Sequence, residues 1–534
     1  MEKFFNTSGP VVAQDHYQLD PLTRIDWDEI EHLIRNKRYF VLHAPRQTGK
    51  TSALLAMMKT LNESGDYACV YANIEGAQGA RGDAQQGMPT VTYAIASSIS
   101  LYLKDNRYID WFSQIGKHLP ANSVVESLLK EWSSTTQKPT VLLLDEVDAL
   151  IGDTLISLLR QIRAGYAQRP EAFPQSLILC GVRDVRDYRM HQGDGEVITG
   201  GSAFNIKAES LRMGNFSEAE TKQLILQHTQ ATGQIFEEAI FSELWLDTKG
   251  QPWLVNALGY ELTWKNKPSR DRSTLITLEQ YKQARERLIY SRATHLDQLA
   301  DKLREPRVHG VIAAMLSGEE ETNQMMINPD DQQYVMDLGL VSYSSRQGLY
   351  ISNRIYQEVI PRELTWVTQT RITNQQQAWY VSDNGRMDMV KLLAGFQQFY
   401  RENADIWVHK FDYQEAAPQL LMQAFLQRII NGGGRINREY ALGRKRTDLF
   451  IEWPLNEDKG FYGEVQRVVI EIKIMTEKKS LDTLIADGIA QTKAYAQHIG
   501  TEEAYLVIFD RRAKLGWDEK IWQKEIDGMM VWGC

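Results

Sequence analysis

The sequence predicts a multidomain α/β protein. It should contain a parallel sheet with helices on both faces, then a helical lid, a winged helix and a second α/β domain at the C-terminal end. Three observations carry this expectation. The apolar run Tyr39–His43 leads into Ala44-Pro-Arg-Gln-Thr-Gly-Lys-Thr51 and then into the helix-like Ser52–Met58. The unbroken apolar run from Thr140 to Leu144 ends in Asp145-Glu146. In the last third, Asp448 opens one strand-like segment and Glu471-x-Lys473 lies in another. Continuous apolar runs bounded by polar residues read as parallel strands buried on both faces, with function at their carboxyl ends.

Composition sets the frame. At 534 residues the chain has room for three or four domains, and 43% hydrophobic with 24% charged residues is ordinary for a soluble globular protein. No apolar run approaches the roughly 20 residues of a membrane span, and the N-terminal residues lack a signal-peptide core. The three cysteines (Cys69, Cys180 and Cys534) are far apart, which argues against a disulfide framework or zinc cluster and suits a reducing cytoplasm. A net charge of −9 means that any nucleic-acid contact must come from a local basic patch.

Residues 1 to about 25 are polar and irregular, and Ile25–Arg35 has helical spacing. In the loop that follows, Ala44, Pro45, Arg46, Gln47, Thr48, Gly49, Lys50 and Thr51 have the spacing of a phosphate-binding loop, with Ala44 in place of the first glycine. Backbone N–H groups at such a strand-to-helix turn hold an anion, and Gly49 lets the backbone approach closely. Lys50 would reach the β- and γ-phosphates of ATP, and the Thr51 hydroxyl would bind Mg²⁺. The bland alternative, a chance Gly-Lys-Thr turn, does not explain the flanking strand and helix.

Cys69–Ile74 reads as the next strand, Glu75–Met88 as a mobile loop rich in Gly, Gln and Ala, and Pro89–Leu103 as a helix. Asp145 would hold Mg²⁺, and Glu146 would orient or deprotonate the attacking water. Taken alone, the same residues are a strand followed by solvated acids. Ser176–Val182 is another buried strand, ending at Arg183-Asp184, where a γ-phosphate sensor would stand; a plain surface arginine fits equally. Arg160, Arg163 and Arg169 suit an arginine finger, although a solvated helix face is the simpler reading.

The set Ala44–Thr51, Asp145-Glu146, Gly181-Val-Arg-Asp184 and Gly250-Gln-Pro252 resembles the AAA-like P-loop ATPases of the STAND class. It is most similar to the archaeal-type AAA ATPases of bacteria and archaea. The resemblance spans about residues 15–365. It implies that Pro252, in the lid, lies against the nucleotide, and that residues 206–293 form that lid after an ATPase core of 1–205. From sequence alone, Lys249-Gly-Gln-Pro252 is a helix-ending turn. Residues 294–365 would be the winged helix, with a helix over His295–Leu316 and a hairpin of Leu338–Ser342 with Gln347–Ser352. The helix before that hairpin, Pro329–Met336, carries Asp330 and Asp331 and no Lys or Arg, which favours packing and regulation over DNA reading. Residues 366–400 would connect the two halves.

Residues 401–534 carry a second signal. Glu471 and Lys473, two apart on a strand, share one face, while Ile470 and Ile472 point into the core. Asp448 on a neighbouring strand would meet Glu471 at Mg²⁺, with Lys473 activating water or stabilising charge. The series resembles PD-(D/E)xK superfamily nucleases, although Thr447 stands where the family name has Pro. Gln491-Thr-Lys-Ala-Tyr495 looks like the QxxxY motif of the RecB-like branch. By the same resemblance Glu415 and Glu439 are auxiliary acids, and Ala504–Phe509 is the closing strand. Arg435, Arg438, Arg444, Lys445 and Arg446 make a basic cluster beside Asp448, suited to a DNA backbone or merely to a solvated turn.

The expected function is an ATP-driven switch controlling a Mg²⁺-dependent nuclease that acts on DNA, with family analogy pointing to defence against foreign DNA. Partners would be DNA and a homo-oligomer or trigger protein, with no membrane. Two alternatives stand beside it. One is a regulatory ATPase whose nuclease-like domain only binds nucleic acid or protein. The other is a DNA translocase with an attached nuclease.

Overall fold

A computed structural model describes residues 2–183, 189–191, 197–199, 206–290, 294–317, 328–345, 348–360, 380–382, 384–410, 422, 425–426, 435–439, 448–456, 463–476, 480–510, 512 and 515–534. They fall into two compact units. One is Met1–Ser291 with Met336–Gly339; the other is Arg292–Val335 with Leu340–Cys534. Among the described residues, no helix is long and apolar enough to cross a membrane.

The first unit is built on a five-stranded sheet. Its strands are β1 (Tyr39–His43), β2 (Ala68–Asn73), β3 (Thr140–Asp145), β4 (Ser176–Gly181) and, beyond a short hairpin of β5 (Arg189–His191) and β6 (Val197–Thr199), β7 (Lys207–Arg212). The spatial order is β2-β3-β4-β1-β7 and every pairing is parallel. Strand residues alternate between two apolar layers, because successive side chains point to opposite faces. Leu142 and Leu144 join the layer that contains Val91, Leu128 and Leu158, whereas Val141 and Leu143 join the layer of Leu54 and Met57. Helices α1 (Trp27–Arg35) and α2 (Lys50–Glu63) cover the second layer, and α3 (Ala84–Leu103), α5 (Ala121–Thr135) and α6 (Gly152–Gly165) the first. The short α4 (Arg107–Gln114) packs beside α3.

Two expectations change here. The segment Glu75–Met88 is a 3₁₀ turn over Glu75–Ala80 followed by the start of α3, with Ala77 and Met88 buried. The Asp83 side chain caps the helix by accepting from the Gln85 N–H, so the helix begins before Pro89. Residues 207–212, read as the start of the lid, form the fifth strand beside β1. None of the six is fully buried, as suits a strand at the edge of the sheet, which is why no apolar run marked them.

The segment read as the lid contains α7 (Glu218–Thr232), α8 (Ala239–Thr248), α9 (Pro252–Tyr260) and α10 (Leu278–Tyr290). A capping box of Ser217 and Glu220 starts α7.

In the second unit, α11 (Thr294–Leu303) and α12 (Pro306–Ser317) replace the single helix read over His295–Leu316; Pro306 starts a new helix because its ring cannot continue the old one. Helix α13 (Pro329–Asp337) precedes the hairpin of β8 (Val341–Ser344) and β9 (Gly348–Ile351), and residues 354–360 form α14. Asp331 pairs with Arg307 at 3.0 Å, so this acid serves packing within the unit.

A six-stranded mixed sheet follows, in the order β10-β11-β12-β13-β15-β14. Its strands are β10 (Arg435–Glu439), β11 (Asp448–Pro454), β12 (Val465–Met475), β13 (Glu503–Asp510), β14 (Trp522–Ile526) and β15 (Met529–Gly533). Strand β13 therefore does not close the sheet; β15 pairs with it in parallel and β14 with β15. Helix α15 (Met389–Lys410) packs Leu392, Leu393 and Phe396 on one face against Ile451 and Ile470, so it belongs to this layer rather than to a linker. Helix α16 (Leu481–Ile499) covers the other face, and the single-turn α17 (Trp517–Lys520) leads into β14.

Candidate nucleotide site and a second acidic cluster

The loop Ala44–Lys50 leaves β1 beside β4, with the Ala44 N–H donating to the Gly181 carbonyl at 3.2 Å. The Ala44 methyl is fully buried in the α2-side layer, and its carbonyl accepts from Lys50 Nζ at 2.9 Å. Alanine therefore serves where a glycine was expected. Lys50 Nζ also donates to the Pro45 carbonyl at 3.0 Å, and Thr48 Oγ1 donates to the same atom at 2.7 Å. The ammonium thus sits inside the turn, only 7% exposed. Gln47 and Gly49 take positive φ values of 57° and 94°, which curl the loop over it, and Arg46 stays exposed. At Gly49 a Cβ would meet Arg24 Nη1 at 3.0 Å, so close approach and φ both require glycine.

Thr51 Oγ1 donates to Asp145 Oδ2 at 2.8 Å, joining the first turn of α2 to the end of β3. Asp145 has no exposed surface, and its Oδ1 accepts from the Glu146 N–H at 3.0 Å. Glu146 itself is left-handed (φ 60°, ψ 40°), an uncommon conformation for a non-glycine residue and one found at functional turns. Burial, then the neighbouring Asp148 and Asp145, raise its carboxyl above the ordinary range, while Lys50 and Arg46 pull against them. That is the poise of a general base.

The residues present fit a hard divalent cation. Thr51 and Asp145 offer oxygen donors in hydrogen-bond contact, and a buried carboxylate that forms no ion pair among the described residues suits one. Among the described residues no cluster of three or more His, Cys, Asp or Glu could hold a metal, so Mg²⁺ here would depend on Thr51, Asp145 and the nucleotide's own phosphates.

Arg183 stands two residues beyond the end of β4 and is half-buried; Asp184 lies outside the described residues. Of the candidate arginine fingers, Arg160 and Arg163 are exposed on α6. Arg169 is structural: its guanidinium lies 3.3 Å from the centre of the Tyr166 ring and 5.0 Å from that of Tyr39, and it donates to the carbonyls of Tyr166 and Lys37.

The lid closes one side of a pocket. Pro252 is the first residue of α9 and is buried; with Phe216, Trp253 and Asn256 it lines the space opposite Gln47, Thr48 and Gly49. The third wall was missed in the sequence. Residues 6–9 and Tyr17–Leu19, read as irregular, line the same pocket, held to the lid by three contacts. Trp253 Nε1 donates to the Thr7 carbonyl at 2.8 Å, Gln18 and Gln227 exchange two hydrogen bonds, and Tyr17 OH meets His228 Nδ1 at 3.0 Å. Arg24 was missed too. It donates to the carbonyls of Thr48 and Gly214 and lies over the Phe216 ring at 4.5 Å, and burial pulls its guanidinium down to about 10. The aromatic residues Phe4, Phe5 and Tyr17 were the available signal for an ordered segment.

The second cluster rests on strand register. Glu439 pairs with Asp448 across β10 and β11, and Asp448 pairs with Glu471 across β11 and β12. Three acids therefore stand in one row, while the side chains of Glu439 and Asp448 lie outside the described residues, as do Glu415, Arg444, Lys445 and Arg446. Arg435 and Arg438 lie on β10. Glu471 is 2% exposed, and Lys473 donates to its Oε1 and to Gln491 Oε1, the latter at 2.6 Å. The shared face expected for Glu471 and Lys473 is thus observed. Gln491 comes from α16, and Tyr495 stands one turn further along it.

A family model described as an AAA-like domain matches residues 22–360. No curated protein matches the chain. Among solved structures, a Walker-type ATPase of Pyrococcus abyssi is similar at 14% identity and a TM-score of 0.46, over 67% of this chain and 99% of that one. The ORC2 protein of Aeropyrum pernix, in ADPNP–ADP complexes, is similar at 12% identity and a TM-score of 0.39, over 66% of this chain and 97% of that one.

Proposed function

Because the chain belongs to the AAA-like domain family, we propose that its N-terminal unit binds and hydrolyses ATP with Mg²⁺ and acts as a switch for a Mg²⁺-dependent nuclease in the C-terminal sheet, with DNA as substrate. The observation that carries the first half is Lys50 held within its loop beside the Thr51–Asp145 bond. The loop N–H groups and Lys50 would bind the phosphates, and Arg183, two residues beyond β4, would answer the γ-phosphate. When bound, Mg²⁺ would neutralise developing phosphate charge. Glu146, with its raised affinity for a proton, would orient and deprotonate the attacking water.

The nuclease half is supported by the row Glu439–Asp448–Glu471 with Lys473 beside it. Asp448 and Glu471 would hold the cation, Lys473 would stabilise charge at the scissile phosphate, and Gln491 would orient Lys473. One observation favours a rival reading, a nuclease-like domain that only binds. Glu471 is almost wholly buried and already carries Lys473 as its cation.

Cleavage of linear and circular DNA with Mg²⁺, with and without ATP, separates them. Loss of cleavage in Asp448→Ala, and loss of the ATP response in Lys50→Ala, are the expected results. DNA binding without cleavage in the parent protein would replace the proposal with the rival.

A further inference from the structure

We propose that Tyr71 is a positioning residue for the cation of the N-terminal site, its hydroxyl fixing the Asp145 carboxylate in the orientation that receives Mg²⁺. This rests on the nucleotide-site reading above and adds to it a residue that carries no motif.

Tyr71 OH donates to Asp145 Oδ2 at 3.0 Å, the same oxygen that accepts from Thr51. With the Glu146 N–H on Oδ1, three donors hold the two carboxylate oxygens. Such a group, with no exposed surface, is stable as an anion only when donors occupy its lone pairs. The sheet makes the contact. Asn73 of β2 is in register with Asp145 of β3, and Tyr71 lies two residues earlier on the same face, opposite Leu143. Its ring therefore runs along the strands and delivers its hydroxyl to the carboxyl end of β3. The ring is fixed in turn, 8% exposed and edge-on to Tyr102 with centroids 6.3 Å apart. When the Thr51 oxygen serves a cation, Tyr71 and the Glu146 N–H keep the carboxylate from turning.

The alternative is that Tyr71 merely fills the layer under α2. Tyr71→Phe keeps the ring and removes one oxygen. The experiment measures the affinity of a fluorescent ADP by titration, in EDTA and in Mg²⁺, together with thermal stability. The expected result is unchanged affinity in EDTA and a Mg²⁺-dependent gain smaller by about tenfold, the order expected for one charge-assisted hydrogen bond. Combining Tyr71→Phe with Asp145→Asn should add no further loss, because both act through one contact. A Mg²⁺-dependent gain equal to the parent's would overturn the proposal. So would a gross loss of folding in Tyr71→Phe, which would mark the hydroxyl as structural. Failure of the parent to bind ADP, with Lys50→Ala indistinguishable from it, would instead remove the nucleotide-site reading and this inference with it.

Discussion

Asp148 Oδ1 accepts from the Val182 N–H at 3.1 Å, and it does so from the space a side chain at residue 181 would need: a Cβ on Gly181 would lie 2.5 Å from that oxygen. The turn after Asp145-Glu146 is thereby tied to the end of β4, one residue before Arg183. The turn that carries Glu146 and the segment that carries Arg183 are joined by this contact.

Gly181→Ala is expected to displace Asp148 and leave the Val182 N–H without its acceptor, at a cost of about 1–3 kcal/mol. A urea midpoint measures this. Asp148→Ala, which frees the space, should soften the cost of Gly181→Ala; additive losses would show that the two residues do not share the contact.

Glu146→Gln should bind ATP and fail to turn it over. In the parent, protonating Glu146 removes the base, and its pKa is raised; turnover should therefore fall on the acid side at a pH above the ordinary value of 4.5. A pH–rate profile of single turnovers checks this, and an acid limb at or below that value would argue against Glu146 as the base.

The lid turn hangs on Gly250. Its φ is +69°, its carbonyl accepts from the Phe216 N–H at 2.9 Å, and a Cβ would meet the Phe216 carbonyl at 1.9 Å. Gly250→Ala must break that contact and strain the backbone, at a cost of about 2 kcal/mol or more. Because Pro252 and Trp253 follow directly, ADP affinity should fall together with stability, whereas Pro252→Ala should lower affinity alone. Isothermal titration beside thermal melts separates the two.

His295 is buried against Tyr356, and burial lowers its pKa to about 4 from 6.5. The unfolded chain binds this proton first as pH drops. The neutral histidine's full contribution is therefore present above 6.5 and is lost as pH falls from 6.5 to about 4, by roughly 3 kcal/mol. Denaturant unfolding across that window should show the slope, and His295→Phe should flatten it.

In the C-terminal sheet, Lys473→Ala takes the cation from a carboxylate that is 2% exposed, at a cost of about 3 kcal/mol. Lys473→Met with Glu471→Gln should recover most of that loss. Guanidinium unfolding of the single and double variants tests the coupling independently of any cleavage.

Much of the nucleotide site was legible because its parts are local. A strand, a tight glycine-bearing turn and a helix occupy consecutive residues, so Ala44–Thr51 announces its geometry through spacing alone. The same holds for Asp145-Glu146 at the end of an apolar run and for Glu471 with Lys473 on one strand face, whereas the Gly-x-Pro turn gained its role only through family resemblance. Residues 207–212 were missed because an edge strand needs no apolar run, and Glu75–Ala80 because a 3₁₀ turn of small residues looks like a loop until its buried side is known.

What the sequence determined by itself, then, was the order of elements and the residues whose chemistry follows from spacing along the chain. Only the tertiary structure decided which distant residues complete the site. Tyr71 reaches Asp145 across 74 residues, Asp148 reaches Val182 across 34, and the N-terminal segment reaches the lid across more than 200. Such contacts are set by sheet register and by which face each side chain takes, and these are fixed only when the strands pair.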